Sequence, residues 1–369
     1  MMNEKRKHIV MAVTNDLVTD QRVHRSCTAL TEAGYKVTLV GRLLKGSGEL
    51  KREYKTERMR LLWKKHWLFY AEYNLRLFLK LLMKRCDVIY ANDTDTLVGC
   101  YMAAKLKRKP IVWDAHEMFP EVPELVGRER VKRFWSGIED RIVPKLKYCF
   151  TVCESIAGIY RERYGVEMKV VRNVPMQGKR LERKHHEGTP ILLYQGAVNI
   201  GRGVDWMIDA MEYLEGMRFV VVGDGDELQK MKDYAAKKPW SERIKFKGRM
   251  RPEDLRKVTV EADMGISLLD NMGLNYYYSL PNRLADFVQA GVPVLATDFP
   301  EIRRVVKGYG IGSLIEGHEA KEIAEKVKEG LRYWGEMKKE EREEIFEKAR
   351  KGLSWEVDKK VLIDTINTL

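Results

Sequence analysis

Apolar and polar positions along the 369-residue chain fall into two kinds of segment that alternate. Ile9–Val13, Lys36–Val40, Asp87–Ala91, Pro110–Asp114 and Cys149–Val152 are short apolar runs rich in β-branched residues, and they read as parallel strands buried on both faces. The stretches between them are amphipathic at helical spacing. The rhythm restarts at Ile191-Leu192-Leu193-Tyr194-Gln195-Gly196 and continues through Arg218–Gly223, Ile244–Gly248, Met264–Leu268 and Val292–Thr297. Strand alternating with helix, twice over, predicts an α/β chain of two Rossmann-like, doubly wound domains facing a cleft. The length suits two domains, each able to bury its own core.

Between the two series, Met176 to Pro190 is polar, holds Arg180, Arg183, Lys184, His185 and His186, and ends in Gly-Thr-Pro. That composition predicts an exposed linker. The expected division is therefore 1–175, a linker 176–190, a second domain 191–352, and a last segment 353–369. A vicinal histidine pair in a charged loop reads as solvated surface and not as a metal site.

Composition narrows the picture. A chain 44% hydrophobic and 33% charged is neither disordered nor membrane-spanning. Met1 to His8 is charged and runs straight into Ile9–Val13, with no hydrophobic region of signal-peptide length, so a cytoplasmic protein is expected. Cys27, Cys86, Cys100, Cys149 and Cys153 are odd in number and lack C-x-x-C spacing, which predicts buried thiols and no disulfide or zinc framework. Abundant Lys, Glu and Arg hint at a thermophilic source.

The net charge of +13 is unevenly placed: residues 1–175 hold 34 basic and 21 acidic side chains, and residues 176–369 hold 33 of each. A basic half invites nucleic acid, an anionic membrane or a phosphorylated substrate. Arg58 to Arg85 interleaves Trp63, Trp67, Phe69, Tyr70, Phe78, Leu81 and Leu82 with Arg60, Lys64, Lys65, Arg76, Lys80, Lys84 and Arg85. Two readings stand: an apolar face buried in the core, or a basic amphipathic segment lying on the inner face of an anionic membrane. No nucleic-acid-binding module is recognisable, so nucleic acid is not an expected partner.

Two segments carry candidate chemistry. Tyr194-Gln195-Gly196-Ala197-Val198-Asn199-Ile200-Gly201-Arg202-Gly203-Val204 is a strand, a glycine-rich loop and a helix start. Glycines let backbone approach phosphate oxygens, the helix start offers free N–H groups, and Arg202 adds a guanidinium fork for the same anion. Further on, Pro281 suits the first turn of a helix, with Asn282 and Arg283 at its anion-attracting end and Asp286 one turn deeper. A capped helix without a ligand is the plainer reading of that second segment.

In these motifs the chain resembles glycosyltransferase family 4, the retaining, metal-independent transferases of the GT-B fold. The resemblance runs through Gly196…Arg202-Gly203-Val204, Val221-Val222-Gly223-Asp224-Gly225, Phe246-Lys247-Gly248-Arg249, Leu280-Pro281-Asn282-Arg283 and Ala290-Gly291-Val292-Pro293-Val294. In the first half it runs through Asp20-Gln21-Arg22-Val23, Ala33–Val37, Trp113-Asp114-Ala115-His116-Glu117 and Asn173-Val174-Pro175. Leu353-Ser354-Trp355-Glu356 and the tail to Leu369 look like the family's last helix, which returns to the first domain.

The resemblance implies a nucleoside diphosphate sugar as donor, a carbohydrate or lipid-linked hydroxyl as acceptor, and no metal or other cofactor. By it, Gly223, Asp224, Gly225, Gly248, Arg249 and Met250 surround the base, Arg202 and Arg283 neutralise the diphosphate, Asp286 accepts from the ribose, and His116 points at the donor sugar. Two positions depart from the pattern: Tyr278 and Asp286 stand where the family often has two glutamates, and Ala197 replaces an arginine. Asp93-Thr94-Asp95 matches the D-x-D pattern of metal-dependent transferases, but after the strand Val88-Ile89-Tyr90 it reads as a helix N-cap. The rival functions are a nucleotide-sugar epimerase of the same architecture and a membrane-attached sugar-nucleotide-binding protein with little activity.

Overall fold

The computed structural model describes residues 6–18, 20–122, 125–177 and 188–369; His185, His186 and most of the expected linker lie outside them. The chain forms two compact units, one of Met1–Asn173 with Asp358–Leu369 and one of Val174–Val357.

The first unit is a seven-stranded, all-parallel sheet of β1 (His8–Asp16), β2 (Lys36–Arg42), β3 (Lys55–Met59), β4 (Val88–Asn92), β5 (Ile111–Ala115), β6 (Tyr148–Thr151) and β7 (Met168–Val170). Its order is β3-β2-β1-β4-β5-β6-β7, so the winding reverses between β1 and β4. Every residue of β4 is buried, as expected of a strand with helices on both faces. The helix Gln21–Glu32 begins where Asp20 accepts from the Val23 N–H, and this fixes Arg22 at its first turn beneath the sheet ends.

The second unit is a six-stranded, all-parallel sheet of β8 (Ile191–Gln195), β9 (Arg218–Val222), β10 (Ile244–Gly248), β11 (Met264–Ser267), β12 (Val294–Thr297) and β13 (Gly312–Ile315), in the order β10-β9-β8-β11-β12-β13. Here the reversal falls between β8 and β11. Alternate residues feed opposite faces: Leu192, Tyr194, Phe219 and Val221 enter one buried cluster, and Leu193, Val220 and Val222 the other. The architecture is α/β with two Rossmann-like sheets, and all five cysteines are buried and outside any disulfide.

The last helix, Trp355–Asn367, is held in its first turn. The Trp355 N–H donates to the Pro175 carbonyl within the second unit. From Asp358 onward it belongs to the first unit, where the Asp358 carboxylate accepts from the Arg172 backbone N–H at 2.6 Å and from the guanidinium Nη2 at 2.7 Å. Asp358 is almost fully buried, so its removal takes away the carboxylate that meets both the Arg172 backbone N–H and its half-buried guanidinium. We expect Asp358→Ala to cost about 2–3 kcal/mol, somewhat below the ~3–5 kcal/mol of a fully buried broken pair, read as a lowered midpoint of thermal unfolding.

Candidate functional site

Ligands of open parallel sheets bind outside the strand carboxyl ends, at the point where the winding reverses. In the second unit that point lies between β8 and β11, and the sequence makes it crowded. The Gly196 N–H donates to the Val222 carbonyl and the Gly223 N–H to the Gly248 carbonyl, so the ends of β8, β9 and β10 are tied in a row. Gly223, at φ +154°, would bring an added Cβ within 1.7 Å of the Gly196 oxygen, and one on Gly225 would lie 2.4 Å from the Val198 oxygen. Gly203 is packed as tightly against Leu268, just past β11. These glycines are required by contact with backbone and neighbouring side chains.

Two arginines converge on this turn. Arg283, at the second position of the helix Asn282–Ala290, is only 6% exposed and lays its guanidinium 4.4 Å from the centre of the Tyr194 ring. A Cβ on Gly196 would be 3.9 Å from its Nε. Arg202, in the glycine-rich loop, stacks on Tyr276 at 4.5 Å. Among the described residues neither arginine is paired with a carboxylate, and Arg202 Nε and Arg283 Nη1 are buried without an acceptor. Burial works against the charge of Arg283, Tyr194 supports it, and the like charge of Arg202 opposes it again, so its pKa is lowered. A buried cation beside a half-buried one of like charge, with no carboxylate paired to either among the described residues, leaves charge that an anion can meet.

The other expected residues fall around it. The Asp286 carboxylate accepts from Gln195 Nε2 at 3.2 Å, which places it beside the last residue of β8, and Gln195 in turn accepts from Thr259. Pro281 is the N-cap of the Arg283 helix, and Asn282 is exposed at its start. Asp224 is exposed and accepts from the Gly225 N–H; Arg249 is exposed, while Met250 packs against the core of the second unit. Tyr278 closes the short helix Leu274–Tyr277 and packs on Tyr277. The two stacking tyrosines, Tyr194 and Tyr276, escape a sequence reading, because an aromatic beside a strand end has the signature of core.

His116 belongs to the first unit, where it follows β5 next to the β1/β4 reversal. Asp93 does occupy the N-cap position of the helix Thr94–Lys107, but its carboxylate makes no capping bond. The expectation of a capping aspartate is corrected here: with φ 60° and ψ 167° the backbone carries the side chain away from the first turn and toward β5. There Oδ1 accepts from the His116 backbone N–H at 2.8 Å and Oδ2 lies 3.1 Å from His116 Nδ1. Behind the ring, the buried Asp114 accepts from Arg22 at 2.7 Å and from the Tyr90 hydroxyl at 3.1 Å. Burial alone would raise the pKa of Asp114, yet Arg22 and then His116 hold it well below the usual carboxylate range. Asp95 accepts from the Thr14 hydroxyl, a bond joining the helix after β4 to the end of β1. Burial and then the Asp93 charge push Asp95 up to about 8. Among the described residues no group of three His, Cys, Asp or Glu side chains is arranged to hold a metal.

Two doubly wound, all-parallel sheets in one chain are the architecture of the GT-B glycosyltransferases. Residues 20–175 match the family described as Glycosyltransferase Family 4, and residues 178–352 match that described as Glycosyl transferases group 1. The chain belongs to glycosyltransferase family 4. Among solved structures, its fold is similar to sucrose-phosphate synthase from Thermosynechococcus elongatus, at 13% identity and a TM-score of 0.77, covering 98% of this chain and 99% of that one. It is also similar to Anabaena HepE in complex with UDP-glucose, at 13% identity and a TM-score of 0.72, covering 98% and 100%. A chitobiosyldiphosphodolichol beta-mannosyltransferase of Candida albicans is 30% identical over 133 residues, which are 33% of this chain and 28% of that protein.

The tightness of the glycine turn is open to a direct check. Gly223→Ala is expected to lower stability by at least about 2 kcal/mol, since strained backbone and a close carbonyl both oppose the methyl group. A thermal midpoint equal to that of the unsubstituted protein would contradict the packing described.

Proposed function

We propose that this transferase moves a glycosyl group from a nucleoside diphosphate sugar to a hydroxyl of a carbohydrate or lipid-linked acceptor, with retention of anomeric configuration. The observation that carries the reading is the pair Arg202 and Arg283, two cations without a carboxylate beside the backbone turn at Gly196. A diphosphate supplies the charge they lack. As the donor bond breaks, negative charge grows on the leaving diphosphate, and preorganised guanidinium groups with the free N–H groups of the Asn282–Ala290 helix start stabilise it. Since two fixed cations can carry that charge, the reading calls for no divalent metal and no further cofactor. Gly223 to Gly225 and Gly248 to Met250 would surround the base, Asp286 would accept from the ribose, and His116 would face the sugar. That HepE, a structural relative, is described with UDP-glucose supports a uridine diphosphate sugar as the first donor to try.

The test is transfer or donor hydrolysis with UDP-, GDP- and ADP-sugars, preceded by thermal-shift screening, in which a ligand bound well above its Kd raises the unfolding midpoint. Arg202→Ala and Arg283→Ala are each expected to reduce turnover roughly 10²–10³-fold, the scale of losing one preorganised donor to a developing anion. Unimpaired turnover in both variants would remove the diphosphate assignment. A nucleotide-sugar epimerase would instead convert its donor without an acceptor.

A second feature favours action at an anionic, cytoplasmic membrane surface. The helix His66–Met83 buries Phe69, Tyr73, Leu77 and Leu81, while Trp67, Leu75, Leu79 and Met83, spaced by eight, four and four residues, are exposed, Trp67 at 72% and Met83 at 81%. Met102 and Leu106 of the neighbouring helix Thr94–Lys107 are exposed as well. Lys80 and Lys84 are occupied by Glu57, whereas Lys64, Lys65 and Arg85 are exposed near the ends of the stripe. No helix among the described residues is long and apolar enough to cross a membrane. An apolar stripe flanked by cations suits an interfacial lie. Co-sedimentation is expected with phosphatidylglycerol vesicles and not with phosphatidylcholine vesicles. Trp67→Glu combined with Leu75→Glu should abolish it without moving the unfolding midpoint. Absence of binding to the anionic vesicles would sink the membrane reading and leave the transferase reading untouched.

A further inference from the structure

Asp93 combines three features that do not ordinarily occur together. It is a non-glycine residue at φ 60°, ψ 167°, a region where a Cβ persists only when its surroundings impose it. It stands at a helix N-cap yet leaves the helix uncapped. Both of its carboxylate oxygens go to a single residue: Oδ1 to the backbone N–H of His116 and Oδ2 to Nδ1 of the ring.

The rest of the surroundings leave Asp93 alone in that role. Asp114 lies on the other side of the ring, with Oδ2 3.4 Å from Nε2, but outside hydrogen-bonding geometry. Its oxygens accept from Arg22 and Tyr90. Among the described residues His116 Nε2 is thus a buried ring nitrogen that makes no hydrogen bond and faces Asp114 only as an ion pair, beside the strand ends where ligands of such sheets bind.

We propose that Asp93 is a positioning residue: it clamps His116 through the backbone N–H and Nδ1, so that Nε2–H is left to donate to a substrate oxygen at the β1/β4 crevice. His116 then acts as a charged hydrogen-bond donor and not as a base.

The groups facing the ring agree with this. Asp93 and Asp114 flank it, Arg22 reaches in from the helix Gln21–Glu32, Tyr90 and Asp95 lie on the β4 side, and Glu117 is the next residue in the chain. Burial disfavours the imidazolium, but Asp93 and then Asp114 overcome it and push His116 up to about 10, with Arg22 opposing. A pKa raised above its ordinary value means that the charged form is kept from acid pH upward and lost only as pH climbs through the folded-state value. Across the neutral range the ring keeps its proton.

Asp93→Asn separates the clamp's charge from its shape, since the amide oxygen still accepts from the His116 N–H. The titration of the His116 ring by NMR on the full chain needs no substrate, whereas the kinetic arm rests on the transferase reading, so the two can fail separately. In the unsubstituted protein the ring should show no titration between about pH 6 and 9; in Asp93→Asn its midpoint should enter that window. With a donor being turned over, kcat should fall about 10–100-fold, the scale of losing an outer partner of a working group, with KM changed by less than about twofold. Activity of the variant should decline as pH rises through the new midpoint, where the unsubstituted enzyme is level. In a His116→Ala background the same substitution should cost nothing more. Asp93→Gly, which suits the backbone, should lose activity while keeping its unfolding midpoint. An unshifted His116 titration in Asp93→Asn, unchanged kcat, or a full further loss in the His116→Ala background would each overturn the proposal.

Discussion

Parallel pairing governs this molecule. A parallel strand cannot turn straight back beside its neighbour, so connections within each unit cross over, and all but that from β2 to β3 lay a helix on one face of the sheet. Both faces are thereby covered, which is why Leu193 serves one buried cluster while Leu192 and Tyr194 serve the other. The same condition sends all the strand carboxyl ends one way. Where the winding reverses, at β1/β4 and at β8/β11, the crossovers diverge and leave a crevice. Thr14, Asp93, Asp95 and His116 collect at the first, and Gly196, Arg202 and Arg283 at the second.

The two crevices differ in how their charges are met. In the first unit Arg22, Asp114, His116 and Asp93 neutralise one another in sequence, cation against carboxylate, within hydrogen-bonding or ion-pair distance. In the second, two guanidinium groups rest on tyrosine rings, with backbone and no carboxylate beside them. Cation–π contact with a ring provides about 2 kcal/mol or somewhat more for a desolvated cation, short of the cost of burying an unpaired charge. The first arrangement balances its charges within the chain, leaves only His116 Nε2 of the ring without a hydrogen bond, and can hold a side chain in place. The second leaves two cations without a carboxylate among the described residues, the gap that the proposed diphosphate would fill.

Most of the strands were legible because central strands are apolar on both faces. Those that escaped the sequence, Lys55–Met59, Met168–Val170 and Gly312–Ile315, are all edge strands; the first has the burial of a half-exposed rim, with only Met59 inside. Arg202 and Arg283 were legible because glycines and a proline fix their distance from a strand end and a helix start. The partners of His116 were not. Arg22 and Asp114 are 92 residues apart, and no local pattern joins them. Asp93 was read as a cap because a sequence gives the position of a residue and not its φ. Within the segment Arg58 to Arg85 the core reading holds for one face of the helix His66–Met83, and the other face carries an exposed apolar stripe.

The ends of the strands pose one backbone problem that the chain meets in two ways. At Gly196, Gly223 and Gly248 the backbone takes positive φ at no steric cost, and at Gly223 the neighbour is the Gly196 carbonyl, which leaves no room for a side chain. After β4 the same need for positive φ falls on Asp93, at a strain of about 1–3 kcal/mol that glycine would avoid. A hydrogen bond to a charged group is worth about 1.5–3 kcal/mol, and Asp93 makes one to the His116 backbone and a charged contact to its ring. The two magnitudes match, so the strained backbone and the clamp on His116 persist together: the carboxylate holds the conformation, and the conformation aims the carboxylate. Where the neighbour is a carbonyl, glycine solves the turn; where the neighbour is a cation that must be held in one orientation, aspartate does.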